Sequence, residues 1–238
     1  MAIAESAVRR RIAARLDQAG VRDLLLVGLT LSTGCVDAVS WLGLDKVFSA
    51  FMTGNFVFLG FTAGGAAGPS VPRVLAATAA FGTGAVLGAW IVRRRDKRAV
   101  VWPRGVTVAL AVGLVCQAAF LVVWLAVHAH PATATGDVII ALSALAMGAQ
   151  TTAVFSLGVR ADFTTAATAT FAVLMGDLAG WKHASGERRR LAATLVALFA
   201  GATVGALLMI HAPSWAPLFP LAVTATVLAA AALRLQDS

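Results

Sequence analysis

The sequence predicts an all-α integral membrane protein, and three observations carry that expectation. Hydrophobic residues make up 59% of the 238 residues and charged residues 13%, against roughly 45–50% and about 25% in soluble domains. The apolar residues fall into blocks of about 20, the length a helix needs to cross roughly 30 Å of hydrocarbon. Lys and Arg gather in the short connections between blocks. Barrel strands would alternate polar and apolar residues, and these blocks do not.

The chain begins with Arg9, Arg10, Arg11 and Arg15. Val8, Ile12, Leu16 and Ala19 recur near helical spacing, which suits a basic amphipathic helix over 6–20 lying on the cytoplasmic lipid surface. A frayed basic tail is the alternative. Residues 1–21 are thus an N-terminal cytoplasmic segment, and a single membrane domain follows. Its apolar blocks lie near 24–43, 47–66, 74–92, 106–127, 138–159, 163–181, 191–210 and 218–233. The first block has no small-residue cleavage site after it and reads as a retained span. Cys35 and Cys116 sit within apolar stretches, where a thiol acts as a small hydrophobe, so a disulfide framework is not expected.

The second half repeats the first, dividing the domain into 22–128 and 129–238. Displaced by 114 or 115 residues, Gly34 meets Gly148, Phe48 meets Phe163, Thr53 meets Thr168, Phe56 meets Phe171 and Leu59 meets Leu174. Displaced by 117, the stretch from Gly84 to Gly88 falls on that from Gly201 to Gly205.

Charge then tests the number of crossings, because cytoplasmic connections collect Lys and Arg. If all eight blocks cross, the 19 basic residues divide 11 to 8 between the faces. If 24–66 and 138–181 each make one net crossing, with Arg160 counted on the N-terminal side, the division is 17 to 2. The second reading gives six net crossings as a 3+3 inverted repeat with two re-entrant or broken-helix segments, near 47–66 and 163–181. Eight transmembrane helices as a 4+4 repeat is the alternative. Trp90, Trp102 and Trp181 on one side and Trp41, Trp124 and Trp215 on the other suit an interfacial belt.

Re-entrant backbone is tolerated only where it is buried in protein or lines a water-filled cavity, so the polar residues of these segments are candidate binding groups. Asp37 stands inside an apolar block, where a carboxylate costs a few kcal/mol to roughly three times that. It is either a coupling or substrate-binding group or a structural partner of an amide such as Gln150. Thr53, Gly54 and Asn55 suit a broken helix, with Gly permitting close approach and Thr and Asn offering donors and acceptors. Thr168 and Thr170 are their counterparts in the second half, reinforced by Thr164 and Thr165. Gln150 and Thr151, followed by Thr152, occupy the place of Asp37. The bland alternative is that these hydroxyls and amides only pack helices.

Other features read as structural. Asp177 suits a surface pairing with Lys182; Asp45-Lys46 and Arg160-Ala161-Asp162 suit interfacial turns, with gate salt bridges as the alternative. Gly84/Gly88 and Gly201/Gly205 permit close helix approach. His128, His130, His183 and His211 form no pair on one helical face that would hold a metal. No catalytic or nucleotide-binding motif is visible, so neither an enzyme nor a cofactor is expected.

The chain resembles the YoaK family of bacterial membrane proteins of unknown function. The resemblance rests on Gly34-Cys35-Val36-Asp37-Ala38, on Thr53-Gly54-Asn55 and on Met147-Gly148-Ala149-Gln150, and it extends from about residue 22 to 233. It implies a six-span protein of the bacterial cytoplasmic (inner) membrane, and it brings no established substrate. Family members place Asn where this chain has Thr151, and Thr-Gly-Thr where it has Thr168-Ala169-Thr170. With both termini cytoplasmic, the expected function is a small transporter or channel-like permease for a small polar solute or ion. The alternative is a non-transporting membrane interaction or assembly protein. The expected partners are the lipid bilayer and that solute, with a homo-oligomer compatible and nucleic acid not expected.

Overall fold

The computed structural model describes residues 2–95, 101–158, 167–180 and 185–235. Within them lie α1 (Ala2–Gly43), α2 (Met52–Ala63), α3 (Val71–Arg95), α4 (Arg104–Ala126), α5 (Thr133–Ser156), α6 (Ala167–Leu178), α7 (Ser185–His211) and α8 (Leu218–Arg234). A 3-10 turn, Pro213–Trp215, leads into α8. Prolines mark the starts: Pro69 and Pro72 at α3, Pro103 before α4, Pro131 before α5, and Pro217 and Pro220 at α8. A helix tolerates proline there because its first amides have no intrahelical partner.

Among the described residues, six helices are long and apolar enough to span a bilayer: Asp17–Gly43 within α1, then α3, α4, α5, α7 and α8. At 12 residues each, α2 and α6 reach only about 18 Å, short of roughly 30 Å of hydrocarbon. The basic N-terminal segment is helical. It runs on into α1 unbroken, since no proline or left-handed residue interrupts Ala2–Gly43.

Two apolar clusters fix the helix directions. One joins Leu25 and Leu29 of α1 to Val92 at the end of α3, Val106 at the start of α4, Val154 at the end of α5 and Ala231 near the end of α8. The other joins Val39 of α1 to Val74 at the start of α3, Trp124 at the end of α4 and Ile139 at the start of α5. Thus α3 begins at the end of the bundle where α1 finishes, and the segment containing α2 returns without crossing. Asp45 and Lys46 take left-handed φ of 62° and 58° as the chain turns back. Asp45 Oδ2 accepts the Ser70 amide at 3.2 Å, joining the two ends of this excursion. Likewise α5 ends where α7 begins, so α6 does not cross either. Among the described residues, helix length and direction favour six crossings over the eight-crossing alternative.

Helices α1 and α5 form the centre, with over half of their membrane residues buried, whereas a third or fewer are buried in α3, α4, α7 and α8. The most extensive packing is α1 along α7 and α3 along α5. Glycines set both contacts. A side chain at Gly34 would strike the Leu198 carbonyl and the Ala202 amide of α7, and one at Gly201 the Leu31 carbonyl of α1. In α3 and α5 the same holds for Gly148 against Phe81 and Ala85, and for Gly84 against Leu145. Residues 114 apart in α1 and α5, and 117 apart in α3 and α7, thus make corresponding contacts.

An ion pair closes each helix pair. Arg73 Nε of α3 lies 2.8 Å from Asp137 Oδ1 of α5, and Arg190 Nη1 of α7 lies 3.4 Å from Asp23 Oδ2 of α1. The same displacements relate the two pairs, and they stand at opposite ends of the bundle.

The tryptophan belt holds only in part. Trp90 and Trp215 are exposed, but Trp102 and Trp124 are buried. Their indole N–H groups donate to Thr107 Oγ1 at 3.0 Å and to the Pro213 carbonyl at 2.9 Å. Each indole had an internal acceptor within reach, which removes its need for the interface. Trp181 lies outside the described residues.

Candidate functional site

A cavity of about 610 Å³ opens between α1 and α7 beside the entrances to α2 and α6. Small residues leave the space: Gly34 and Ala38 of α1, Ala202 and Ala206 of α7. Trp41, Phe48 and Phe51 supply aromatic walls, and Leu42 and Leu198 aliphatic ones. Asp37 contributes the carboxylate, and Thr168 brings a hydroxyl from the first turn of α6. Both halves of the chain therefore line one chamber, and among the described residues none of its lining is basic.

Asp37 lies half-buried in the last turns of α1. Its Oδ1 accepts the amides of Ser49 at 3.0 Å and Ala50 at 2.8 Å. These amides belong to the stretch just before α2, where no helical carbonyl can take them. The carboxylate thus positions the re-entrant segment and also borders the cavity.

Asn55, wholly buried in α2, completes the anchor. Its Oδ1 accepts the Phe48 amide at 3.1 Å, and its Nδ2 donates to the Phe48 carbonyl at 2.8 Å. Both ends of its amide are used on one residue, which is why an acid or a hydroxyl would not replace it. A Cβ at Gly54 would stand 2.9 Å from the Phe48 and Phe51 rings, so only glycine lets them pack there. Thr53 is exposed on the far side of α2.

The second-half candidates are placed differently. Gln150 Nε2 donates to Thr33 Oγ1 at 2.9 Å, a buried bond between the two central helices. Thr151 is buried on α5, Thr170 on α6, and neither lines the cavity. Asp37 and Thr168 are therefore brought together on one chamber, while Asn55, Gln150, Thr151 and Thr170 are embedded in packing. Gln117 and Ser143 line a separate, small cavity of about 20 Å³. Phe163, Thr164, Thr165, Arg160, Asp162, Lys182 and His183 lie outside the described residues.

Sequence reasoning missed Trp41, Phe48, Phe51, Leu198, Ala202 and Ala206. A usable signal existed in Gly201/Gly205, whose spacing marks where α7 closes on α1 and hence which α7 residues face Asp37. The aromatic set also had a local signature, since Trp41, Phe48, Phe51 and Phe58 cluster around the polar motif.

A family model described as "Protein of unknown function (DUF1275)" matches residues 25–231. The UPF0700 transmembrane protein YoaK of Bacillus subtilis (strain 168) is 35% identical over 162 residues, covering 68% of this chain and 69% of that protein. No solved structure matches the chain.

Proposed function

We propose a function from one established premise: the chain belongs to the YoaK family, described as DUF1275, of multi-pass membrane proteins. In our reading it is a small transporter or channel-like permease for a small polar solute or ion. The observation that carries this reading is the Asp37 cavity, a chamber with one carboxylate, lined from both halves and bordered by two short helices that do not cross. An intramembrane carboxylate facing such a space is a functional group by default, and broken segments meeting between repeats are how many transporters build their sites.

The reading includes a 3+3 inverted repeat. It is supported by the corresponding glycine contacts and by the two equivalent ion pairs at opposite ends of the bundle. The biased division of Lys and Arg supports both termini lying on the cytoplasmic side of the bacterial inner membrane.

The test is flux into proteoliposomes. Native protein should move protons, a monovalent cation or a small polar solute above the rate of empty vesicles, and folded Asp37→Asn should lose that flux. Absence of flux across all three classes would overturn the reading. A second reading, a non-transporting interaction or assembly protein, is favoured by one observation: Asp37 and Asn55 already hold backbone amides. It predicts that Asp37→Asn changes no flux and that a partner protein co-purifies.

A further inference from the structure

We infer that the Asp37 cavity takes a monovalent organic cation with an aromatic or apolar body, an inference that rests on the permease reading and names its substrate class. Three properties of the chamber select this chemistry.

Its walls are aromatic and closely arranged. Trp41 and Phe48 stack with centroids 4.7 Å apart, and Phe48 meets Phe51 edge-on at 5.1 Å. All three border the cavity, so it presents ring surface to which a cation is attracted by the quadrupole. Among the described residues its charge is one carboxylate with no basic residue in the lining, which repels anions and leaves a negative charge for an incoming cation to balance. Its polar groups among the described residues are few. A hard metal ion is usually held by about six or more oxygen ligands, and Asp37 and Thr168 fall far short. A neutral sugar or amino acid would leave most of its hydrogen-bonding groups against aliphatic and aromatic carbon, at a cost of roughly 1–3 kcal/mol each.

An organic cation matches on all three counts. Its body contacts Leu42, Leu198 and the rings, and its positive centre faces Asp37. The volume of about 610 Å³ lies in the range of small-ligand pockets, roughly 300–1,000 Å³. The place equivalent to Asp37 in α5 is the uncharged Thr151, which is buried; the expected stoichiometry is therefore one cation per chain.

Two probes of matched size and opposite charge test this: tetraphenylphosphonium and tetraphenylborate, measured by equilibrium dialysis against the full-length protein in detergent. The phosphonium should bind saturably at one per chain, and the borate should not. Asp37→Asn keeps an acceptor for the Ser49 and Ala50 amides and should weaken phosphonium binding at least tenfold. Leu198→Trp, which fills the cavity without touching the carboxylate, should weaken it comparably and covers the case in which the first variant fails to fold. Equal binding of the two ions, or phosphonium binding unchanged in both variants, overturns the inference. Asp37-dependent flux of protons or alkali cations without saturable phosphonium binding overturns the substrate class and leaves the permease standing. Asp37-dependent phosphonium binding that never becomes movement across proteoliposomes supports the site and sinks the permease.

Discussion

Asp37 Oδ1 accepts the Ala50 amide at 2.8 Å, so a residue near the end of the first span holds the entrance of a helix that does not cross. The Ser49 amide shares the same oxygen at 3.0 Å. Replacing Asp37 by Leu removes this shared acceptor and strands two amides, each costing about 1–3 kcal/mol when buried. Asp37→Leu should therefore unfold at a clearly lower temperature in detergent, whereas Asp37→Asn, which retains Oδ1, should stay close to native. Thermal denaturation of the three proteins checks this, and equal loss in both variants would show that the charge, not the acceptor, holds the segment.

Asn55 gives a second, sharper case. Its amide serves the N–H and C=O of Phe48 together, so Asn55→Asp keeps the acceptor but loses the donor and places a carboxylate against a carbonyl. Both Asn55→Asp and Asn55→Ala should destabilise the protein by roughly 1–3 kcal/mol or more. The measurement is the detergent unfolding midpoint, and faster thiol labelling at Phe48→Cys in the variant background should accompany it.

The ion pairs allow a cycle. Arg73 is buried and bonded to both Asp137 and the Thr133 carbonyl, so Arg73→Ala leaves Asp137 without its guanidinium. Hydrogen bonds to charged groups contribute about 1.5–3 kcal/mol, and either single alanine variant should lose that order of stability, with the double variant losing less than the sum. The Arg190–Asp23 pair, longer at 3.4 Å and shared with Arg22, should show a smaller coupling. Chemical denaturation of single and double variants measures both.

Glycine positions separate close packing from lipid-facing surface. Gly34 and Gly148 meet backbone atoms of the neighbouring helix, whereas Gly82 has open space around its Cα. Gly34→Leu and Gly148→Leu should sharply reduce the yield of folded protein, and Gly82→Leu should leave it near native by size-exclusion chromatography.

Much of the fold is legible in the sequence. Block length gave the apolar helices, and the placement of Lys and Arg singled out the two segments that do not cross, because both signals arise from the bilayer itself. The repeated glycines were legible as well, since the same contact is made twice. What could not be read was which side chains meet. Asn55 bonds Phe48 and Gln150 bonds Thr33, and these partners depend on how helices rotate against one another, which hydropathy leaves undefined when a helix is apolar all round. The same blindness placed Trp102 and Trp124 at the interface instead of in the core. Of the polar candidates among the described residues, the cavity joins Asp37 and Thr168 to aromatic and aliphatic walls, while Thr53, Asn55, Gln150 and Thr170 stand outside its lining.

We propose that the two halves insert upside down, with α2 and α6 returning to opposite faces around the Asp37 cavity. Ala66 and Ala179, exposed just beyond these helices, report on it directly once Cys35 and Cys116 are replaced by Ala. A membrane-impermeant thiol reagent applied to intact cells should label Ala66→Cys and spare Ala179→Cys until the membrane is opened. Labelling of both from the same side would contradict the inverted arrangement and, with it, the account of a site shared between opposed repeats.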